Sequence, residues 1–202
     1  MSVPALEFGV AQFKIPGEDE SGDQHLVSES DSGVLIAVMD GIGHGAEAAN
    51  ASRAAAAILH AETDEPIISL VERCHEGLRR TRGVVMSLAC IDPRHGLMTW
   101  LGVGNVQGML VRAGARKGKV QETLLLRGGV VGAQLPPLQA TVLPIAAGDT
   151  LVFATDGIRG SFIETLSPLE SPQHAADRVL QGYRRGNDDA LIFFGRFTGA
   201  SA

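Results

Sequence analysis

Two apolar runs in this chain end in the same way. "VLIAVMDG" closes on Asp40-Gly41 and "TLVFATDG" on Asp156-Gly157. A third acid pair, Asp188-Asp189 in "GNDDALIFF", stands at the entry to another apolar run, and Asp23 in "SGDQHLV" precedes a short one. A single Asp-Gly is ordinary turn chemistry, because aspartate caps the turn and glycine supplies the positive φ. Four aspartate positions at strand edges ask for more. Carboxylates gathered there repel one another, and burying them without partners is costly. A bound divalent cation removes that cost. The candidate ligands, aspartate side chains and the carbonyl of Gly41, are hard oxygens, which select Mg²⁺ or Mn²⁺ over softer metals. Two such ions polarise a shared water and stabilise the charge on a phosphate ester under attack, so this pattern points to phosphate hydrolysis.

The segment after Asp40, "GIGHGA", has a rival reading. Gly41, Gly43 and Ala46 formally match the GxGxxA dinucleotide-binding fingerprint. That fingerprint requires a second parallel strand after the helix, whereas this sequence continues with another helix and then hairpins. It also places Asp40 beside a pyrophosphate. No GxxxxGK[ST] segment exists, which excludes a P-loop. Zinc is disfavoured because the six histidines are scattered singly. In the metal reading the glycines keep bulk away from the site and start a helix at Ala46, whose N-terminus faces the anionic region.

The elements that must position these acids are legible in outline. Val3 to Ile15 alternates and reads as a strand, and Leu26 to Glu29 as a short one. Val34 to Met39 is a continuous apolar run, the pattern of a strand buried on both faces. Ala46 to Ala61 is the strongest helix candidate, since alanine costs least in a helix. Pro66 opens a second helix, in which Ile67, Val71, Cys74 and Leu78 form one core-facing stripe. From Gly83 the period shortens. Val84–Ile91, Leu97–Val103, Val106–Val111, Gln121–Leu126, Ala140–Leu143 and Thr150–Ala154 read as strands separated by turns, among them "AAGD", which ends in Asp149. A helix near Pro172–Tyr183 and a last strand, Ala190–Phe197, complete the chain. This order is not the strict strand–helix alternation of a parallel sheet. It predicts an α+β fold: a two-sheet antiparallel β-sandwich flanked by helices on both faces, over 1–202 as one domain.

Composition narrows the function. A chain of 202 residues with 45 % apolar residues builds one substantial core, and 4 % aromatics with 25 glycines imply many tight turns around small and branched aliphatics. A net charge of −6 without long runs of one sign argues against nucleic acid or an anionic membrane as partner. The N-terminus does not read as a signal peptide. No apolar stretch reaches the roughly 18–20 residues of a membrane span. Cys74 and Cys90 form no CxxC pair and read as reduced core cysteines, which suits a cytoplasmic protein. Trp100 and Tyr183 read as core or partly buried surface residues. His60, His75, His95 and His174 read as solvent-facing.

The ordered set "GD" at Gly22-Asp23, "DGIGHG" at Asp40–Gly45, "GVGN" at Gly102–Asn105, "TDG" at Thr155–Gly157 and "NDDA" at Asn187–Ala190 resembles the PPM-type metal-dependent serine/threonine phosphatases. Within them the chain looks most like the compact bacterial SpoIIE/RsbX branch, in order and spacing over roughly residues 5 to 198. The resemblance implies a two-metal site. In it Asp40 bridges both ions, Gly41 offers its carbonyl to one, and Asp156 and Asp188 hold the other. Asp189 sits behind the ligands, and Asp23 contacts the ions through water. It further implies a phosphoserine/phosphothreonine phosphatase acting on a STAS-domain scaffold or antagonist protein of the bacterial stressosome, resetting the stress signal.

The chain departs from the wider family in several places. Ile42 stands where many members carry a histidine taken as general acid, and His44 is the nearby substitute. The phosphate-binding arginine of larger members has no clear counterpart near the N-terminus; Lys14 is one substitute, and Arg159, just past Asp156-Gly157, is placed to touch substrate phosphate or partner. Val84-Val85 replaces small hydroxyl residues, and Leu191 replaces a threonine. No insertion is large enough to make a flap, so an open site facing a folded phosphoprotein is expected. These departures keep a second reading in view, a non-catalytic phosphoprotein-binding module that retains the phosphatase fold. The chain is expected to act as a monomer.

Overall fold

The structure is a computed structural model that describes residues 5–114, 122–167 and 169–199. Its strands are β1 (Leu6–Phe13), β2 (Asp23–Ser30), β3 (Gly33–Gly41), β4 (Val84–Asp92), β5 (Leu97–Val103), β6 (Gln107–Val111), β7 (Glu122–Thr123), β8 (Leu126–Arg127), β9 (Thr141–Pro144), β10 (Thr150–Ala154) and β11 (Ala190–Phe197). The α-helices are α1 (Ala46–Ala61), α2 (Ile67–Gly77) and α3 (Pro172–Tyr183), with a 3₁₀ turn at Gly160–Thr165. One sheet runs β1-β11-β10-β6-β7 and the other β2-β3-β4-β5, with β8 and β9 both pairing β5. All pairs are antiparallel except the two-residue contact of β5 with β8. The expected antiparallel sandwich is present.

The alternation of side chains along β3 builds the layers. Ile36 and Val38 face the other sheet and join Phe153, Phe193 and Leu151 in the central core. Leu35, Ala37 and Met39 face the opposite way, onto α1 and α2. Each of these side chains is fully buried or nearly so, and such burial contributes about 1.5–3 kcal/mol per large aliphatic. Small residues of α1, Ala48, Ala51, Ser52 and Ala55, are buried, which lets the helix lie close against the sheet. Ile67, Val71, Cys74 and Leu78 are buried as the α2 stripe requires. On the other outer face α3 packs Ala175, Ala176 and Val179 against β1 and β11.

Three expectations are revised. β2 begins at Asp23, three residues before Leu26, and pairs along its whole length with β3. The run Gln121–Leu126 is split: β7 pairs with β6 in one sheet and β8 with β5 in the other, while Gln121 lies outside the described residues. The "AAGD" turn lies between β9 and β10 as expected, and it carries the chain from one sheet to the other. Trp100 is buried as expected, and Tyr183 is half-buried. His75 is not a free surface residue; its Nδ1 accepts the Gly132 amide at 3.0 Å.

Candidate metal and phosphoester site

The acids meet where the two sheets end together. Asp40 continues the parity of Ile36 and Val38, so it closes the central layer. The β2–β3 register sets Asp23 directly opposite it. From the facing sheet, Asp156 follows β10 and Asp188-Asp189 precede β11. β10 and β11 are paired neighbours, with Ala154 against Ile192. The cleft so formed, of about 360 Å³, is walled by Asp40, Asp156, Asp188, Asn105, His44 and Ile15 among others. A larger cavity of about 450 Å³ lies at the far end of the second sheet. Its rim acids are already engaged: Asp64 accepts the Ser32 hydroxyl and Asp92 bonds His95. The acids without such partners line the smaller cleft.

Both Asp-Gly glycines are there because backbone comes too close for a side chain. A Cβ on Gly41 would lie 2.2 Å from the Ala48 carbonyl oxygen of α1, and one on Gly157 would lie 1.9 Å from that of Asp189. Gly43 and Gly45 have φ of 94° and 73°, a left-handed backbone that turns the chain from β3 into α1.

The carboxylates differ in their surroundings. Asp23 is 1 % exposed. Its Oδ2 accepts the Thr155 hydroxyl at 2.8 Å, and that hydroxyl in turn accepts the Leu191 amide at 2.8 Å. Burial first, then the charge of Asp40, pushes the Asp23 carboxyl well above the usual carboxylate range, with the Thr155 bond offsetting part of this. Burial likewise pushes Asp40 up to about 7, followed by repulsion from Asp156, Asp188 and Asp189. Asp188 is raised by burial and then by Asp156, with the Asp189 amide and His44 pulling the other way. Asp189 is spent on backbone: Oδ1 accepts the Ile15 amide at 2.8 Å and Oδ2 the Gly22 amide at 2.7 Å. It thereby pins the β1–β2 connection beside the cleft. Among the described residues none of these five aspartates has a lysine, arginine or histidine within ion-pair distance.

The other candidates divide. His44 is in the cleft wall, with Nδ1 held by Glu18 Oε1 at 2.5 Å. Arg159 is outside the wall and donates from Nη2 to the Gly182 carbonyl at 2.7 Å. Lys14 reaches the carbonyls of Glu18 and Asp19. Sequence reasoning gave no role to Asn105, yet its Nδ2 donates to Asp156 Oδ2 at 2.8 Å. Its only signal was its place in "GVGN". Thr155, inside "TDG", was missed in the same way, because the partner it serves is 132 residues distant.

With this geometry in view, the comparisons with known proteins are specific. The family described as Stage II sporulation protein E (SpoIIE) matches residues 30–197. The phosphoserine phosphatase RsbX of Bacillus subtilis is 30% identical over 101 residues, 50% of this chain and 51% of that protein, so the match spans about half the length of this relative. A chain from a study of the bacterial stressosome, described as a modular system adapted to control secondary messenger signaling, superposes with a TM-score of 0.84. It shows 29% identity over 95% of this chain and 99% of that one. RsbX in complex with magnesium superposes with a TM-score of 0.82 at 21% identity, covering 96% of each chain. Serine/threonine phosphatases of the PPM type share the fold.

Proposed function

This chain belongs to the SpoIIE family, and from that premise we propose that it is a metal-dependent phosphoprotein phosphatase that hydrolyses phosphoserine or phosphothreonine. The observation that carries this reading is the convergence of Asp40, Asp156 and Asp188 on one open cleft with no cationic side chain to neutralise them. Asp40, pushed up to about 7 by burial first and then by the charges of Asp156, Asp188 and Asp189, is a carboxyl in a site short of positive charge. The donors are all hard oxygens, which fits Mn²⁺ or Mg²⁺. Among the described residues no three acidic, histidine or cysteine side chains close on a single point.

In this reading Asp40, the Gly41 carbonyl, Asp156 and Asp188 would hold the two ions. Asp23 and Asp189 hold the surroundings, Asp23 opposite Asp40 and Asp189 on the Ile15 and Gly22 amides. When bound, the ions supply an activated water and charge stabilisation at phosphorus. Asn105 orients Asp156 through its amide, and His44, held by Glu18, lines the cleft. Water adds to phosphorus, the ester P–O bond breaks, the serine or threonine oxygen takes a proton, and inorganic phosphate leaves.

The substrate in this reading is a phosphorylated STAS-domain protein of the stressosome kind, and the enzyme a cytoplasmic negative regulator of stress signalling. The half-length likeness to a phosphoserine phosphatase and the likeness to a stressosome-associated chain support it. The open cleft supports a folded phosphoprotein substrate over a loose peptide. No helix among the described residues is long and apolar enough to cross a membrane. The test is phosphate release from a phosphorylated STAS-domain protein with Mn²⁺ or Mg²⁺. Release that excess chelator abolishes is the expected result. Binding of the phosphoprotein without release, on this and on a generic phosphoserine substrate, establishes the non-catalytic binding module instead.

A further inference from the structure

Three arginines beside the cleft take no part in the chemistry above. The stretches 157–159 and 183–185 are zipped together: Ile158 bridges Arg184, the Arg159 amide donates to the Tyr183 carbonyl, and the Arg185 amide donates to the Gly157 carbonyl, both at 2.8 Å. Arg159, Arg184 and Arg185 therefore stand on adjoining stretches of backbone, and all three are exposed. Most other arginines among the described residues lie within ion-pair distance of a carboxylate, Arg53, Arg82 and Arg112 among them; these three do not. Arg80, in the α2–β4 connection between the ion-paired Arg79 and Arg82, and Arg127, at the end of β8, also lack one.

What the three do touch fixes their stems and leaves most guanidinium N–H groups unused. Arg159 Nη2 donates to the Gly182 carbonyl at 2.7 Å, Arg185 Nε donates to the Asp156 carbonyl at 2.8 Å, and Arg184 lies over the Phe13 ring at 4.7 Å. The patch adjoins the cleft directly. Arg185 holds the backbone of Asp156, Phe13 is two residues from Ile15 in the wall, and Asn187-Asp188 continue from Arg185 into the wall. Elsewhere on the rim charges of both signs meet: Glu18 sits against His44 and Gly45, Lys14 reaches the Glu18 and Asp19 carbonyls, and Glu20 pairs with Arg53. Forked, pre-set guanidinium groups suit carboxylates, which they bind in bidentate fashion. The net charge of −6 disfavours a nucleic acid or an anionic membrane as the occupant.

We propose that Arg159, Arg184 and Arg185 form a docking flank that recognises carboxylates lying on one side of the phosphorylated residue, so that the substrate is an acidic phosphoprotein segment entered in one direction. This rests on the phosphatase reading of the neighbouring cleft.

The experiment compares two phosphoserine peptides of equal length, one with three acidic residues on one side of the phosphoserine and one with the corresponding amides. The wild-type chain is assayed with Mn²⁺, and p-nitrophenyl phosphate serves as the charge-blind substrate. The expected result is a preference of about tenfold in kcat/KM for the acidic peptide, residing in KM and falling as salt rises. In Arg159→Gln/Arg184→Gln the ratio between the peptides collapses toward one, and Arg184→Glu alone, a second variant at an exposed position, inverts it. Equal kcat/KM for both peptides in the wild type, or a preference that survives in both variants, overturns the proposal. Failure to cleave any of the three substrates refutes the phosphatase reading by itself. Fluorescence anisotropy of the labelled peptides then decides the docking flank: tighter wild-type binding of the acidic peptide, lost in the variants, supports it, and equal binding overturns it.

Discussion

Asp149 and Asp23 are both almost completely buried, at 3 % and 1 % exposed, and stand at opposite ends of the sandwich. Their surroundings differ in kind. Asp149 is completed within the chain: Oδ1 accepts the Ala113 amide at 3.0 Å, and Oδ2 accepts the Ala146 amide at 3.0 Å and Arg112 Nη1 at 2.8 Å. That carboxylate ties the 146–149 turn to the end of β6. Asp23 receives one hydroxyl and faces Asp40, with Asp188 and Asp189 close enough to raise its carboxyl further. The same residue type in a similar degree of burial is a structural tie at one end and an unneutralised charge at the other. What separates them is the presence of a cation within the fold, and the end that lacks one is the end with an open cleft.

The largest expected effect comes from breaking the acidic end. Asp40→Asn should lower phosphatase activity on the order of a thousandfold while the fold persists, since it removes the shared ligand and several kcal/mol of transition-state stabilisation. Phosphate release alongside circular dichroism checks both halves, and full activity would refute the metal assignment. At the other end, Arg112→Ala should destabilise the protein by about 3 kcal/mol, because it leaves the Asp149 charge buried without its cation. Denaturant unfolding measures this, and metal affinity should be unchanged.

The comparison is sharpened by pH. Asp40 has a folded-state value of about 7 against an ordinary 3.8, so between those values the folded chain binds the proton that the unfolded chain has released. The stability of the metal-free protein should therefore fall as pH rises through that window, by about 2 kcal/mol between pH 5 and pH 7. Added Mn²⁺ should remove the decline, and Asp40→Asn should reduce it, leaving the part that Asp23 and Asp188 contribute; thermal melts across pH with and without metal read it out. The smallest effect expected is that of Asn105→Ala. Losing one amide bond to Asp156 should lower kcat/KM about tenfold, with little change in Tm. Rescue by Asn105→Gln would separate orientation of Asp156 from mere packing.

Much of this protein was legible before any tertiary information. The Ala46–Ala61 helix, the α2 stripe, the Pro172–Tyr183 helix and the strands ending in Asp-Gly follow from helix propensity, from the two periodicities and from turn chemistry, all of which act over a few residues. The positions of the acids at strand ends were legible for the same reason. The partners were not. Only the tertiary structure decided that Asp23 lies opposite Asp40, that Asn105 and Thr155 serve Asp156 and Asp23, and that Asp189 is occupied by the Ile15 and Gly22 amides. It also decided that the acid of "AAGD" meets Arg112 while the acids of the Asp-Gly turns meet no cation. Strand register across two sheets is set by the sum of many long-range contacts, whereas a side chain's local pattern states only which face it occupies. A buried aspartate looks alike in sequence whether its counter-charge comes from the fold or from outside it, because the difference lies in the element that packs against it.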